Sequence, residues 1–185
     1  MSTRIIMVLS LLSLALAGCG GDDGSELEGI YTLASWTTNP DSCTEEGGPD
    51  IEADGYTHFF VRKDSFFGQS FIAAVMCADL EECRTKAADK DTLYIGQFTF
   101  DENGDGGWTG TSTFLFGEDC AGTVSTFVLT GDPGVSVRID SKGRAVTNVP
   151  KDSDGFCDTD AAEAQAEGQP CDQLTVVTGD FLEGI

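Results

Sequence analysis

Gly122-Thr123-Val124-Ser125-Thr126-Phe127-Val128-Leu129-Thr130 and, a turn later, Val135-Ser136-Val137-Arg138-Ile139-Asp140 decide how this chain folds. In the first run Val124, Thr126, Val128 and Thr130 alternate with Ser125, Phe127 and Leu129. In the second, Val135, Val137 and Ile139 alternate with Ser136, Arg138 and Asp140. A period of two in β-branched and aromatic residues is the mark of strands with two unlike faces. Upstream, Leu93–Phe100 and Trp108–Phe116 flank the Gly/Asp-rich Asp101–Gly107 and read as a hairpin, with Trp108, Phe114 and Phe116 sharing one face of the second arm. Downstream, Ser141-Lys142-Gly143 reads as a turn into Arg144–Val149, and Leu174-Thr175-Val176-Val177 begins a last strand.

The same reading extends to the front half. Gly29–Trp36 is β-prone and stops at the turn Asn39-Pro40-Asp41-Ser42, and Tyr56–Val61 is closed by Arg62-Lys63-Asp64. Phe66–Met76 is apolar throughout and bulky enough to favour a strand over a buried helix. Two short helices interrupt the pattern. Asp79 caps the first, with Glu82 three residues on and Arg84 and Lys86 near its end. Asp160-Ala161-Ala162-Glu163 opens the second, which Gly168 and Pro170 end. About nine strands joined mostly by turns predict a mainly β fold, an antiparallel barrel first and a β-sandwich as the alternative.

The N-terminus carries an address. Arg4 precedes the apolar run Ile5–Leu16, and Leu16-Ala17-Gly18-Cys19 follows. Twelve apolar residues are too few to cross a bilayer, which takes about 20 in a helix. The segment therefore reads as an export signal. Leu16–Cys19 resembles a bacterial lipobox. That resemblance implies cleavage before Cys19, diacylglycerol on its sulfur and a further acyl chain on its new amino group. Two or more chains anchor a protein stably, and none of them spans the membrane. Gly20 in place of Asp implies outer-membrane sorting if the host is Gram-negative. Gly20–Ser25 then serves as a polar tether.

Composition agrees with that address. Removing the first eighteen residues leaves 167, an ordinary single-domain length, and takes the formal charge from −22 to −23 with the loss of Arg4. A surface so acidic repels phosphate backbones and keeps the domain soluble, which argues against nucleic acid as a partner. With Cys19 set aside for lipid, Cys43, Cys77, Cys83, Cys120, Cys157 and Cys171 make an even six, the arithmetic of three disulfides in an oxidising compartment. Fifteen connectivities are open. Local pairing favours Cys77–Cys83 and Cys157–Cys171, which leaves Cys43–Cys120.

A second resemblance lies at the first strand, where Glu28-Gly29-Ile30-Tyr31 is similar to the Gly-x-Trp start of lipocalin-like barrels, with Tyr31 in the place of Trp. It implies an antiparallel barrel able to hold a small hydrophobic ligand. Phe98, Phe100, Phe114, Phe116 and Phe127 are then core filling or cavity lining.

Few residues suggest chemistry. Asp101, Asn103 and Asp105, with Gly106, match the opening of a calcium loop, but Ser112 stands where the closing bidentate Glu belongs, and a plain hairpin turn is the favoured reading. Lys151-Asp152-Ser153-Asp154-Gly155 is a second acidic loop. His58 has no nucleophile or metal motif beside it, and the neighbouring carboxylates Glu81/Glu82 and Asp152/Asp154 read as a solvated face. The first functional expectation is a lipid-anchored, non-enzymatic β-domain binding a small apolar ligand. The second is a surface interaction or adhesion module, stiffened by disulfides and calcium. An exported hydrolase comes third.

Overall fold

The structure, a computed structural model, describes residues 25–45, 55–94, 98–102 and 107–185. Its strands are β1 (Gly29–Asn39), β2 (His58–Phe66), β3 (Gln69–Cys77), β4 (Phe98–Glu102), β5 (Trp108–Phe116), β6 (Ala121–Asp132), β7 (Ser136–Val146) and β8 (Gln173–Glu183). They pair in chain order, each antiparallel to the next, and β8 closes on β1. The result is an eight-stranded up-and-down barrel with two short helices, α1 (Leu80–Ala88) and α2 (Thr159–Glu167). One closed sheet excludes the sandwich.

Alternation finds the strand regions, but several bounds move: β2 runs past Arg62-Lys63-Asp64 to Phe66, a turn at Phe67-Gly68 breaks the apolar run Phe66–Met76, and β4 is Phe98–Glu102 against an expected Leu93–Phe100. The largest difference is in β7. Ser141-Lys142-Gly143 is not a turn: Ser141 pairs with Phe127 on one side and Thr175 on the other, and Gly143 with Ser125 and Gln173. The polar trio simply continues the strand toward one end of the barrel. The described residues therefore hold eight strands and not nine.

Inward-facing residues form one packed cluster that includes Tyr31, Phe59, Ile72, Phe98, Phe100, Trp108, Phe127, Leu129, Ile139 and Val177. Tyr31 stacks on Phe59 at 5.4 Å between ring centroids, and Phe98 meets Phe127 edge to face at 5.3 Å. The outer face of β7 carries Arg138, Asp140, Lys142 and Arg144. A barrel that spans a bilayer needs the reverse, an apolar band outside and polar residues within.

The two ends of the barrel are built differently. At one end the strands are joined by short hairpins: Phe66 to Gln69, Glu102 to Trp108 and Asp132 to Ser136. Here Phe67 (φ 48°) and Gly68 (φ 83°) make a two-residue turn with both residues left-handed, which suits Asn-Gly better than Phe-Gly. A bulky residue in that conformation costs about 1–2 kcal/mol. The 3₁₀ turn Ser25–Leu27 enters at this end, and Leu27 is buried in the interior cluster beneath it. The Tyr31 hydroxyl donates to the Leu27 carbonyl at 2.7 Å, and a Glu28 carboxylate oxygen accepts from the Lys63 amide at 2.8 Å. Burial pushes the Tyr31 phenol up to about 12.

At the other end lie the long connections, β1–β2, β3–β4 with α1, and β7–β8 with α2, and all three disulfides. Cys77–Cys83 is paired as its spacing suggests, with 5.4 Å between Cα atoms. The other two pairs correct the expectation. Cys43 joins Cys171, tying the β1–β2 loop to the approach to β8, and Cys120 joins Cys157, tying the β5–β6 turn to the loop before α2. Proximity in sequence misleads here because the barrel gathers distant loops at one rim.

Both helices lie outside the barrel. Asp79 accepts from the Glu82 amide while the Glu82 carboxylate reaches back to accept from the Ala78 amide, one residue before the cap, a variant of the capping box. The end of α1 is held by Arg62, whose guanidinium is fully buried. It donates to the carbonyls of Lys86, Ala87, Asp89 and Thr92, pairs with Asp64, and lies over the rings of Phe60 and Tyr94. A cation at a helix C-terminus is electrostatically well placed. Asp158, not Asp160, caps α2, accepting from the Ala161 amide, and Ala162 and Ala166 pack that helix on Val124 and Val146.

Candidate functional site

The disulfide-bearing rim opens where the other end closes. From Trp108 onward, β5 turns every second residue inward, in register with β6: Trp108 opposite Leu129, Gly110 opposite Phe127, Ser112 opposite Ser125, and Phe114 opposite Thr123. Trp108 is 2% exposed, whereas Phe114 is 68% and Phe116 60% exposed, although all three share one face of the strand. The expectation that Phe114 and Phe116 fill the core is thus corrected. Their spacing is that of core residues, but they stand beyond the level at which the opposite strands still cover them. Among the described residues, β4 pairs only with the first two residues of β5, Trp108 and Thr109. Phe98, Phe100 and Phe127 are core, as expected.

Around this mouth the inward positions become hydroxylic. Ser141 and Thr175 are partners across β7 and β8, Ser125 lies one step nearer the rim on β6, opposite Gly143, and Thr38 of β1 pairs with Thr175, their hydroxyls 2.8 Å apart. Trp36, partly buried against the interior cluster, sits opposite Val177 one step deeper. The mouth therefore offers two exposed rings 5.8 Å apart, a floor of packed aromatics and a wall of small hydroxyls. Such a surface can stack on an apolar or mixed ligand face and hydrogen-bond its polar edge.

The remaining candidates are dispersed. His58 lies at the start of β2, its Nδ1 2.7 Å from the Thr57 hydroxyl, which itself donates to the Ala78 carbonyl. With that proton committed, Nδ1 is the donor of the pair. Asp101 is the last residue but one of β4, opposite Phe71 and Thr109, while its proposed calcium co-ligands Asn103 and Asp105 lie outside the described residues. So do Cys19 and its tether. In the second acidic loop one Asp152 carboxylate oxygen accepts from the amides of Asp154 and Phe156, so the group folds its own turn. Among the described residues no cluster of three or more His, Cys, Asp or Glu side chains is arranged to hold a metal, and no helix is long and apolar enough to cross a membrane. On the outer wall, a groove of about 310 Å³ between α2 and β5–β7 is lined by Thr111, Thr126, Arg144 and Glu163 among others.

Arg62 is the residue that sequence reading passed over. Arg62-Lys63-Asp64 looked like the charged end of a strand, yet β2 runs on to Phe66 and α1 buries the first of the three. The available signal was its period-two phase with Phe60, on the outer face that α1 was bound to cover. Comparison with protein-family models, with curated proteins and with solved structures finds no match.

Proposed function

We propose that the chain is a lipid-anchored extracytoplasmic lipoprotein whose barrel is a non-enzymatic binding domain, taking a small hydrophobic or amphipathic ligand at its open mouth. The observation that carries this reading is the change along one face of β5, from Trp108 in the packed interior to Phe114 and Phe116 in the open. Because the interior is filled from Leu27 to Phe127, the ligand rests on the mouth and not in a deep cavity. Three disulfides gathered at that rim support it twice over. They hold long loops in fixed positions around a binding surface, and they suit an exported protein. Cleavage at Cys19, acylation there and outer-membrane residence in a Gram-negative host complete the proposal.

Native mass spectrometry of protein solubilised from host membranes tests both halves. The expected spectrum shows a chain beginning at acylated Cys19 and carrying a non-covalent adduct of a few hundred daltons. Phe114→Ser/Phe116→Ser should lose the adduct while retaining the acyl mass. An adduct-free wild-type spectrum overturns the ligand reading, and an unmodified N-terminus overturns the anchor.

A further inference from the structure

The closed end of the barrel carries an apolar surface that the ligand reading leaves unused. Phe66 and Phe67 form its tip, 54% and 93% exposed with ring centroids 4.3 Å apart. Beside them Phe66, Gln69, Phe71, Leu93, Thr99 and Asp101 line a groove of about 240 Å³. Val135, at the β6–β7 hairpin across the barrel, and Ile185, just after β8, are exposed at the same end. The tip aromatic occupies a left-handed turn position that favours Asn or Gly, so a ring in water is kept there against both backbone preference and solvation.

The chain's entry point says what faces this surface. Ser25–Leu27 joins the barrel at the closed end, and only five residues lie between Cys19 and Ser25, six steps along the chain. Six such steps span at most about 22 Å even when fully extended. If Cys19 is acylated, Ser25 is held within that distance of the lipid headgroups, and the end of the barrel it enters is the one that carries the Phe66-Phe67 hairpin. We propose that the Phe66-Phe67 hairpin inserts into the headgroup–acyl boundary as a second membrane contact, orienting the barrel with its open mouth outward. This rests on the lipid-anchor reading. Asp64, Asp101, Glu102, Asp132 and Glu183 ring the same end, so the contact is made by aromatic insertion and not by attraction to anionic headgroups.

The test uses the acylated full-length mature protein in phosphatidylcholine vesicles with brominated acyl chains, which quench nearby indoles. Phe67→Trp should be quenched about twofold more strongly than Phe116→Trp at the opposite rim, each measured against the wild-type background of Trp36 and Trp108. Replacing part of the phosphatidylcholine with phosphatidylglycerol should weaken the Phe67→Trp signal. Equal quenching of the two variants in protein whose intact mass shows acylated Cys19 overturns the inference alone and leaves the tip for a protein partner. An unacylated Cys19 takes the anchor reading and this inference down together. A signal that strengthens with phosphatidylglycerol overturns aromatic insertion as the mechanism.

Discussion

The two ends of this barrel solve the same problem by opposite means. Both must end an apolar interior where water begins. The closed end does it with packing: Leu27 stoppers the interior, Tyr31 ties itself to the Leu27 carbonyl, and short hairpins leave little loop to order. The mouth leaves rings exposed, substitutes hydroxyls for hydrocarbon, and holds its long loops with covalent bonds. Burial of apolar area and restriction of chain entropy are separate sources of stability, and here they are separated in space.

That division is open to attack from either side. The largest effect should come from Cys43→Ala/Cys171→Ala. The bridge closes a loop with a sequence separation of 128, for which chain entropy alone gives about 4–5 kcal/mol. Denaturant melts should show the loss, and amide exchange should rise at the rim well before it rises around Tyr31. Uniform exchange across both ends would show that they do not behave as distinct units. Arg62→Met comes next, at about 3–4 kcal/mol, because it strands the Asp64 charge and the carbonyls at the end of α1. As α1 leaves the mouth at Cys83 and ends against Arg62, that loss should spread to both ends.

Leu27→Ala, at the closed end, should cost about 3 kcal/mol as a large-to-small change in a packed interior, read by chemical melts at constant slope. Tyr31 adds a pH signature to the same end. Its phenol ionises near pH 10 in the unfolded chain and only at about 12 in the fold, so the unfolded state gives up its proton first. The resulting stability, on the order of 2–3 kcal/mol, is intact below pH 10 and drains away between pH 10 and 12. Tyr31→Phe should flatten that stretch of the stability–pH curve, and an unchanged slope would reassign it. The smallest effect is expected at the mouth itself. Phe114→Ser/Phe116→Ser should shift stability by less than about 0.5 kcal/mol, since both rings already face solvent. A core-sized loss there would mean that the mouth is packed after all.

What the sequence revealed follows the same division. Alternation in Gly122–Thr130 and Val135–Ile139 was readable because those strands have one apolar and one polar face, and the capping residues of α1 announced themselves because a cap is local chemistry. The mouth was harder. Ser141, Lys142 and Gly143 resemble a turn because inward positions near the rim lose their apolar character, and Phe114 resembles core because a strand's pattern does not record where its neighbours stop. Disulfide partners depend on which loops share a rim, which only the closed topology supplies. Arg62 was hidden for a similar reason: its burial is imposed by a helix that arrives later in the chain and packs over it.

The Leu27 stopper has a mechanical consequence. A protein held by its N-terminus is loaded through the segment that enters the closed end, and the force runs lengthwise into β1. That strand is clamped between two neighbours, by four residue pairs to β2 and nine to β8. Tension applied along it loads these ladders in shear, where hydrogen bonds resist together instead of peeling one at a time. On the proposed anchoring, the residue that closes the barrel is thus also the first described apolar contact to bear a pull on the tether, so the fold meets that pull at a buried point.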